Sequence, residues 1–162
     1  DRADEQVGRG GSNIGLWQAE VIECGNDAMI LAYGTLFPTG QQAKHKLRGE
    51  GLDVGVINAR FCEPLDRVAV LRAVEEANVV VTVEEGTLEG GFGSALLEAA
   101  NAARLDTRNI VRLGLPDRFV EHGERAELLA ELGLDVAGIC ATVRKALGRE
   151  TPVTDEVAAA VH

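Results

Sequence analysis

The chain has 162 residues, of which 46% are hydrophobic and 26% charged, the composition of one globular domain. At this length a core can bury most of the surface of the unfolded chain, so neither a disulfide frame nor a structural metal is needed. The 16 basic and 26 acidic residues leave a formal net charge of −10, a field that argues against nucleic-acid and membrane partners and leaves anionic small molecules only a local pocket of opposite sign.

Residues 1–13, DRADEQVGRGGSN, are polar and glycine-rich, lack the basic start and apolar stretch of a signal peptide, and read as a linker remnant. The globular domain is expected over 14–148. Residues 21–24 and 27–33 are apolar runs separated by Gly25-Asn26, and this spacing predicts a β-hairpin. The second run is apolar almost throughout, as befits a strand buried on both faces. Pro38 opens a helix running to about Arg48, and a strand follows at 53–61. A helix is predicted over 64–77 with Asp66 as its N-cap or first-turn acid, and Val70, Leu71, Val74 and Ala77 on one face. The β-branched run NVVVTVEE predicts a strand at 78–85, and a glycine-rich loop then leads into a helix over 94–103. A further strand at 109–116 stops at Pro116. Helices at 124–133 and 135–148 each end on a glycine, and Val136, Ile139, Cys140, Val143 and Leu147 form the apolar stripe of the last. The tail, 149–162, is weakly patterned and peripheral.

Strands alternating with helices predict a three-layer α/β/α domain. Its sheet is mainly parallel, of about five strands, with one antiparallel strand at an edge. Cys24, Cys62 and Cys140 form no CxxC and read as reduced thiols of a cytoplasmic protein. No His/Cys cluster has metal-ligand spacing.

In open α/β sheets ligands bind beyond the carboxyl ends of the strands, which here carry Thr35, Arg60, Glu84, Glu85, Asp117 and Arg118, with Glu121 and His122 close behind. The loop GTLEGGFGSA (86–95) has the look of an anion cradle. It lacks the third glycine of a dinucleotide fingerprint and the Lys-Ser/Thr of a P-loop, so its glycines read instead as allowing a tight turn into a helix. Glu84 and Glu85 are adjacent in a strand and point to opposite faces, so they cannot form a catalytic pair. Asp117, Glu121 and His122 lack a companion nucleophile. Glu84, Glu85, Arg118, Glu121 and His122 are therefore candidates for an interdomain surface, with solvated strand-end charges as the plainer reading. The residues alone describe a ligand-capable domain without a complete active site.

The segment VTVEEGTLEGGFGSALLE (81–98), followed by RLGLPDRFVEHGERAELLAELGLD (112–135), resembles the C-terminal domain of the 1-deoxy-D-xylulose-5-phosphate synthase family. The resemblance extends over INARFCEPLD (57–66) and AMILAYG (28–34) and covers about residues 14–147. The VEE and GGFGSA elements recur across transketolase-like C-terminal domains, whereas LGLPDRFVEHG is specific to the synthase. Cys62, where a larger or basic residue is usual, and the first-strand segment IGLWQAEVIECG depart from the pattern. The resemblance implies part of a three-domain, thiamine diphosphate- and magnesium-dependent enzyme that joins pyruvate to glyceraldehyde 3-phosphate with loss of carbon dioxide. The Gly-Asp-Gly that begins the family's diphosphate–magnesium motif does not occur here, nor does the pyrimidine-binding domain with its activating glutamate. No catalytic, cofactor-binding or metal-ligating residue carries over, so this chain is expected to be inactive alone and to bind no cofactor. Its partners would be the cofactor-binding domains of the same enzyme, in a homodimer. The alternatives are a stand-alone partner- or anion-binding module, or the equivalent domain of another transketolase-like enzyme.

Overall fold

The structure is a computed structural model that describes residues 18–60, 64–117 and 124–150. In chain order the elements are β1 (Glu20–Glu23), β2 (Ala28–Tyr33), a 3-10 turn (Gly34–Leu36), α1 (Phe37–Gly49), β3 (Val54–Ala59), α2 (Arg67–Glu76), β4 (Val79–Thr87), α3 (Phe92–Ala102), β5 (Ile110–Leu115), α4 (Arg125–Glu131) and α5 (Val136–Ala146). Among the described residues the strands form one five-stranded sheet in the order β1-β3-β2-β4-β5. Every pairing is parallel except that of β1 with β3.

Period-two alternation divides the sheet's apolar residues between two cores. Ala28 and Ile30 of β2, Val54 and Val56 of β3, and Val79, Val81 and Val83 of β4 pack on Leu47 of α1, Leu129 of α4 and Ile139, Cys140 and Val143 of α5. Met29, Leu31, Ile57, Ala59 and Val80 turn the other way, onto Val70 and Val74 of α2 and Phe92, Leu96 and Ala100 of α3. This is the predicted three-layer α/β/α architecture. Helix termini follow local chemistry: Asp66 accepts from the Ala69 N–H at 3.2 Å and Asp135 from the Gly138 N–H at 2.8 Å. Gly133 and Gly148 end α4 and α5 in the left-handed region, at φ 72° and 67°.

The predicted hairpin is corrected. β1 lies at an edge, as expected, but it pairs with β3 rather than with β2, whose two edges are already taken by β3 and β4. Gly25-Asn26 is instead a crossing over the start of β3. A Cβ on Gly25 would lie 2.3 Å from the Gly55 nitrogen, so only glycine permits the approach. Asp27 and Asp53 fasten this crossing: the Asp53 N–H donates to Asp27 Oδ2 at 2.7 Å and the Asn26 N–H to Asp53 Oδ2 at 2.9 Å.

A bulge sets the face on which β1 ends. Val21 opposes Ile57, yet Glu23 opposes Val56, so Ile22 is the extra residue. Without it Glu23 would oppose Gly55 and face α2. With it Glu23 faces α1, where Lys44 Nζ and Arg48 Nη1 each lie 2.5 Å from its carboxylate. Lys44 is only 3% exposed, and its hydrogen bond holds the Glu23 carboxyl below the usual glutamate value.

Candidate functional site

β4 is the longest strand and carries Glu84 and Glu85 at its carboxyl end. Alternation sends Glu84, with Val80 and Thr82, toward α3, and Glu85, with Val81 and Val83, toward α1 and α4. The expectation that the two cannot act as a pair agrees with this geometry.

Glu84 is 1% exposed. Its Oε2 accepts the Phe92 N–H at 2.7 Å and its Oε1 the Gly93 N–H at 3.0 Å. These are the first two residues of α3, whose N–H groups have no partner within the helix. The carboxylate thus sits on the positive end of the helix dipole and replaces a conventional cap, because the N-cap residue is Gly91, without a side chain. A Cβ on Gly91 would lie 2.5 Å from Glu84 Oε2, so the glycine makes room for the acid. Capping from within also explains why α3 begins at Phe92 rather than at Ser94. The rest of the loop is tied down by Arg112 Nη1, which donates to the Leu88 carbonyl at 2.9 Å and to Ser94 Oγ at 3.0 Å. The Phe92 ring stacks on Tyr33, with centroids 5.6 Å apart.

Glu85 makes different use of its charge. It receives a two-pronged bond from Arg125, Nε at 2.9 Å and Nη2 at 2.8 Å, and a short hydrogen bond from the Thr35 hydroxyl. Arg125 and then Thr35 hold its carboxyl below the usual glutamate value. Three strands of argument about the carboxyl ends meet here: β4 supplies the acid, the turn after β2 the hydroxyl, and the first residue of α4 the guanidinium. Thr35 was expected on this surface. Arg125 is not legible from the sequence, because nothing in its local sequence points back to a strand forty residues earlier. Asp117 is exposed, at the end of the chain leaving β5. Arg118, Glu121 and His122 lie outside the described residues, as does Cys62. Cys140 is buried, its thiol pushed up by desolvation, and Cys24 is exposed.

A diphosphate needs free N–H donors or cations, whereas the glycine-rich turn spends the Phe92 and Gly93 N–H groups on Glu84. Among the described residues no three His, Cys, Asp or Glu side chains are grouped to hold a metal ion. Nor is any helix among them long and apolar enough to cross a membrane.

Known proteins share this fold and sequence. The family described as "Transketolase, C-terminal domain" matches residues 18–139. The chain is 46% identical over 133 residues to the 1-deoxy-D-xylulose-5-phosphate synthase of Rhodopirellula baltica, covering 82% of this chain and 21% of that protein. It is 39% identical over 137 residues to the synthase of Geobacillus thermodenitrificans, covering 85% of this chain and 21% of that one. It therefore spans about a fifth of the length of these relatives. Among solved structures, a split-gene transketolase described as an inactive beta4 tetramer superimposes with a TM-score of 0.73 at 29% identity, covering 83% of this chain and 43% of that chain. A transketolase mutant from Pichia stipitis does so with a TM-score of 0.60 at 16% identity, over 80% of this chain and 18% of that one, which speaks to the fold alone.

Proposed function

The chain belongs to the transketolase C-terminal domain family, and from that membership we propose that it is the support and dimerisation domain of a 1-deoxy-D-xylulose-5-phosphate synthase. In this reading residues 14–148 are the globular unit, the partners are the cofactor-binding domains of the same cytoplasmic enzyme in a homodimer, and the domain contributes no group to the reaction. The synthase would condense pyruvate with glyceraldehyde 3-phosphate on thiamine diphosphate held elsewhere, and this chain alone is inactive.

The observation that carries the reading is the fate of Glu84. The feature most like an anion site is closed by the chain's own buried carboxylate. What remains at the surface is a strand-end cluster, Thr35–Glu85–Arg125, whose Arg125 opens α4 shortly after the segment bearing Arg118, Glu121 and His122 in the sequence. A stand-alone anion-binding module finds no such support, since the donors it would use are occupied. In this reading the interdomain surface is formed by Glu85, Arg118, Glu121 and His122, and Glu84, being 1% exposed, contributes by shaping the glycine-rich loop.

The test uses a full-length synthase carrying this domain. Arg118→Ala combined with His122→Ala should loosen the dimer in sedimentation or lower turnover, while the circular dichroism spectrum stays unchanged. Unaltered dimer affinity together with unaltered turnover would overturn the placement of the interface.

A further inference from the structure

Met29 is the only methionine of the chain, and its register sets it beside a glycine: in the parallel pairing of β2 with β3 it lies opposite Gly55. With no side chain on Gly55 to compete for the space, the methionine side chain lies over that glycine, and a Cβ built there would fall 2.5 Å from Sδ. The sulfur also accepts the N–H of Gly25 at 3.2 Å. Gly25 is the residue that carries the chain from β1 over the start of β3, so close to Gly55 that no side chain fits on it. Gly25, Gly55 and Met29 thus interlock, and the thioether joins the crossing to β2. A thioether is a weak acceptor, so the buried Gly25 N–H is held by close contact as much as by its hydrogen bond.

This residue also borders solvent. Met29 is 4% exposed, and with Val21, Gly25, Ile57 and Val68 it forms part of the wall of an open groove of about 430 Å³ between β1 and α2. Val68 is 82% exposed and Val21 45%, so the groove stands open along this rim to any small solute.

We propose that Met29 is a site of reversible oxidation and that its sulfoxide loosens β1 from the sheet. The oxidant is a peroxide. A sulfur lone pair attacks one peroxide oxygen, the S–O bond forms as the O–O bond breaks, and the departing hydroxide takes the proton of the transferred hydroxyl to leave as water. Sulfur is oxidised by two electrons and the peroxide reduced by two. The new oxygen has no room on the Gly55 side. It either displaces the Gly25 N–H from the sulfur or stands among Val21, Ile57 and Val68 as a polar atom in an apolar wall. In either place it works against the contacts that hold β1. The Asp27–Asp53 bond of the crossing and the Glu23–Lys44 pair involve no sulfur and survive, so the result is a loosened edge strand in a folded domain. Enzymatic reduction of the sulfoxide restores the thioether.

The test treats the 162-residue chain with hydrogen peroxide and then with dithiothreitol, which reverses disulfides and sulfenic acids of the cysteines but leaves a sulfoxide. One oxygen should appear on the peptide carrying Met29 without prior unfolding. The oxidised chain should still melt cooperatively, at a midpoint lower by several degrees, with amide exchange at Val21, Ile22 and Glu23 faster by roughly tenfold and the change in β4 smaller. Met29→Leu, a swap of similar volume, should fold and show none of these responses to peroxide. Cys24→Ser, which removes the exposed thiol bordering the same groove, should respond as the native chain does, and it decides the matter should Met29→Leu fail to fold. A sulfur that takes up oxygen only in denaturant overturns the proposal, because the groove would then not reach it. So does a sulfoxide formed with midpoint and β1 exchange unchanged. A response that persists in Met29→Leu, or vanishes in Cys24→Ser, overturns it as well, since the lesion would then lie on a cysteine.

Discussion

A carboxylate with 1% of its surface exposed survives in a strand only if its oxygens are hydrogen-bonded, and Glu84 meets that condition with two backbone N–H groups that would otherwise be orphans. Removing it therefore costs twice, in the lost bonds and in the stranded donors. Glu84→Ala is expected to destabilise the domain by about 3 kcal/mol, lowering the thermal midpoint by roughly 6–12 °C. Glu84→Gln keeps the shape but turns an amide N–H toward one of the two donors, and should fall between. Glu85→Ala, at a site open to water, should change the midpoint little. Equal effects of the Glu84 and Glu85 substitutions, measured by scanning calorimetry, would refute this division of labour. The opposite facing of the two glutamates was legible from strand periodicity alone. The use of Glu84 as a cap was not, because the acid lies eight residues upstream of the N–H it serves and the N-cap position holds a glycine.

At the scale of elements, the strands and helices follow from hydrophobic period, and their ends differ from expectation by a few residues. The hairpin is the instructive error. Gly25-Asn26 between two apolar runs has the local form of a tight turn, but local turn chemistry does not decide which strands pair. The better signal was the continuous burial implied by DAMILAYG: a strand apolar on both faces sits centrally, and a central strand of a crossover sheet has no free edge for β1. What holds β1 to its actual place is electrostatic as well as hydrogen-bonded, through Glu23 with Lys44 and Arg48. Glu23→Ala leaves the buried Lys44 ammonium without its partner and should destabilise the domain, whereas adding Lys44→Met should restore much of the loss. The pH dependence has a definite sign. The folded-state value of Glu23 lies below its ordinary 4.5, so its contribution is complete above that pH and is lost as pH falls through the folded value. Urea unfolding of the wild-type chain should show an acid limb below about pH 4.5 that is shallower in the Glu23→Ala, Lys44→Met double variant. Parallel limbs would show that β1 is held by its backbone ladder alone.

At the scale of the whole molecule, the sheet is covered by α1, α4 and α5 on one face and by α2 and α3 on the other, so each strand that needs a covering helix has one within this chain. The architecture was legible because alternating strands and helices admit few arrangements; the family was legible only through the motif strings, since strand-end chemistry alone points to no reaction. Two consequences belong to this scale and are tested together. The chain should fold by itself, because its core is complete without a second domain. It should also fail to take up thiamine diphosphate. A diphosphate requires N–H donors or cations, and the glycine-rich turn offers its helix N-terminus to Glu84, with Glu89 of the same turn adding negative charge. A magnesium ion bridging the phosphates requires oxygen ligands gathered at one point, and the described residues hold no such group. Calorimetric titration of the isolated chain with thiamine diphosphate and magnesium should be flat, and a single sharp thermal transition on the same sample would show that the flatness is not misfolding. Micromolar binding, or sugar phosphate formed from pyruvate and glyceraldehyde 3-phosphate, would mean that the chain takes part in the chemistry and is not its scaffold.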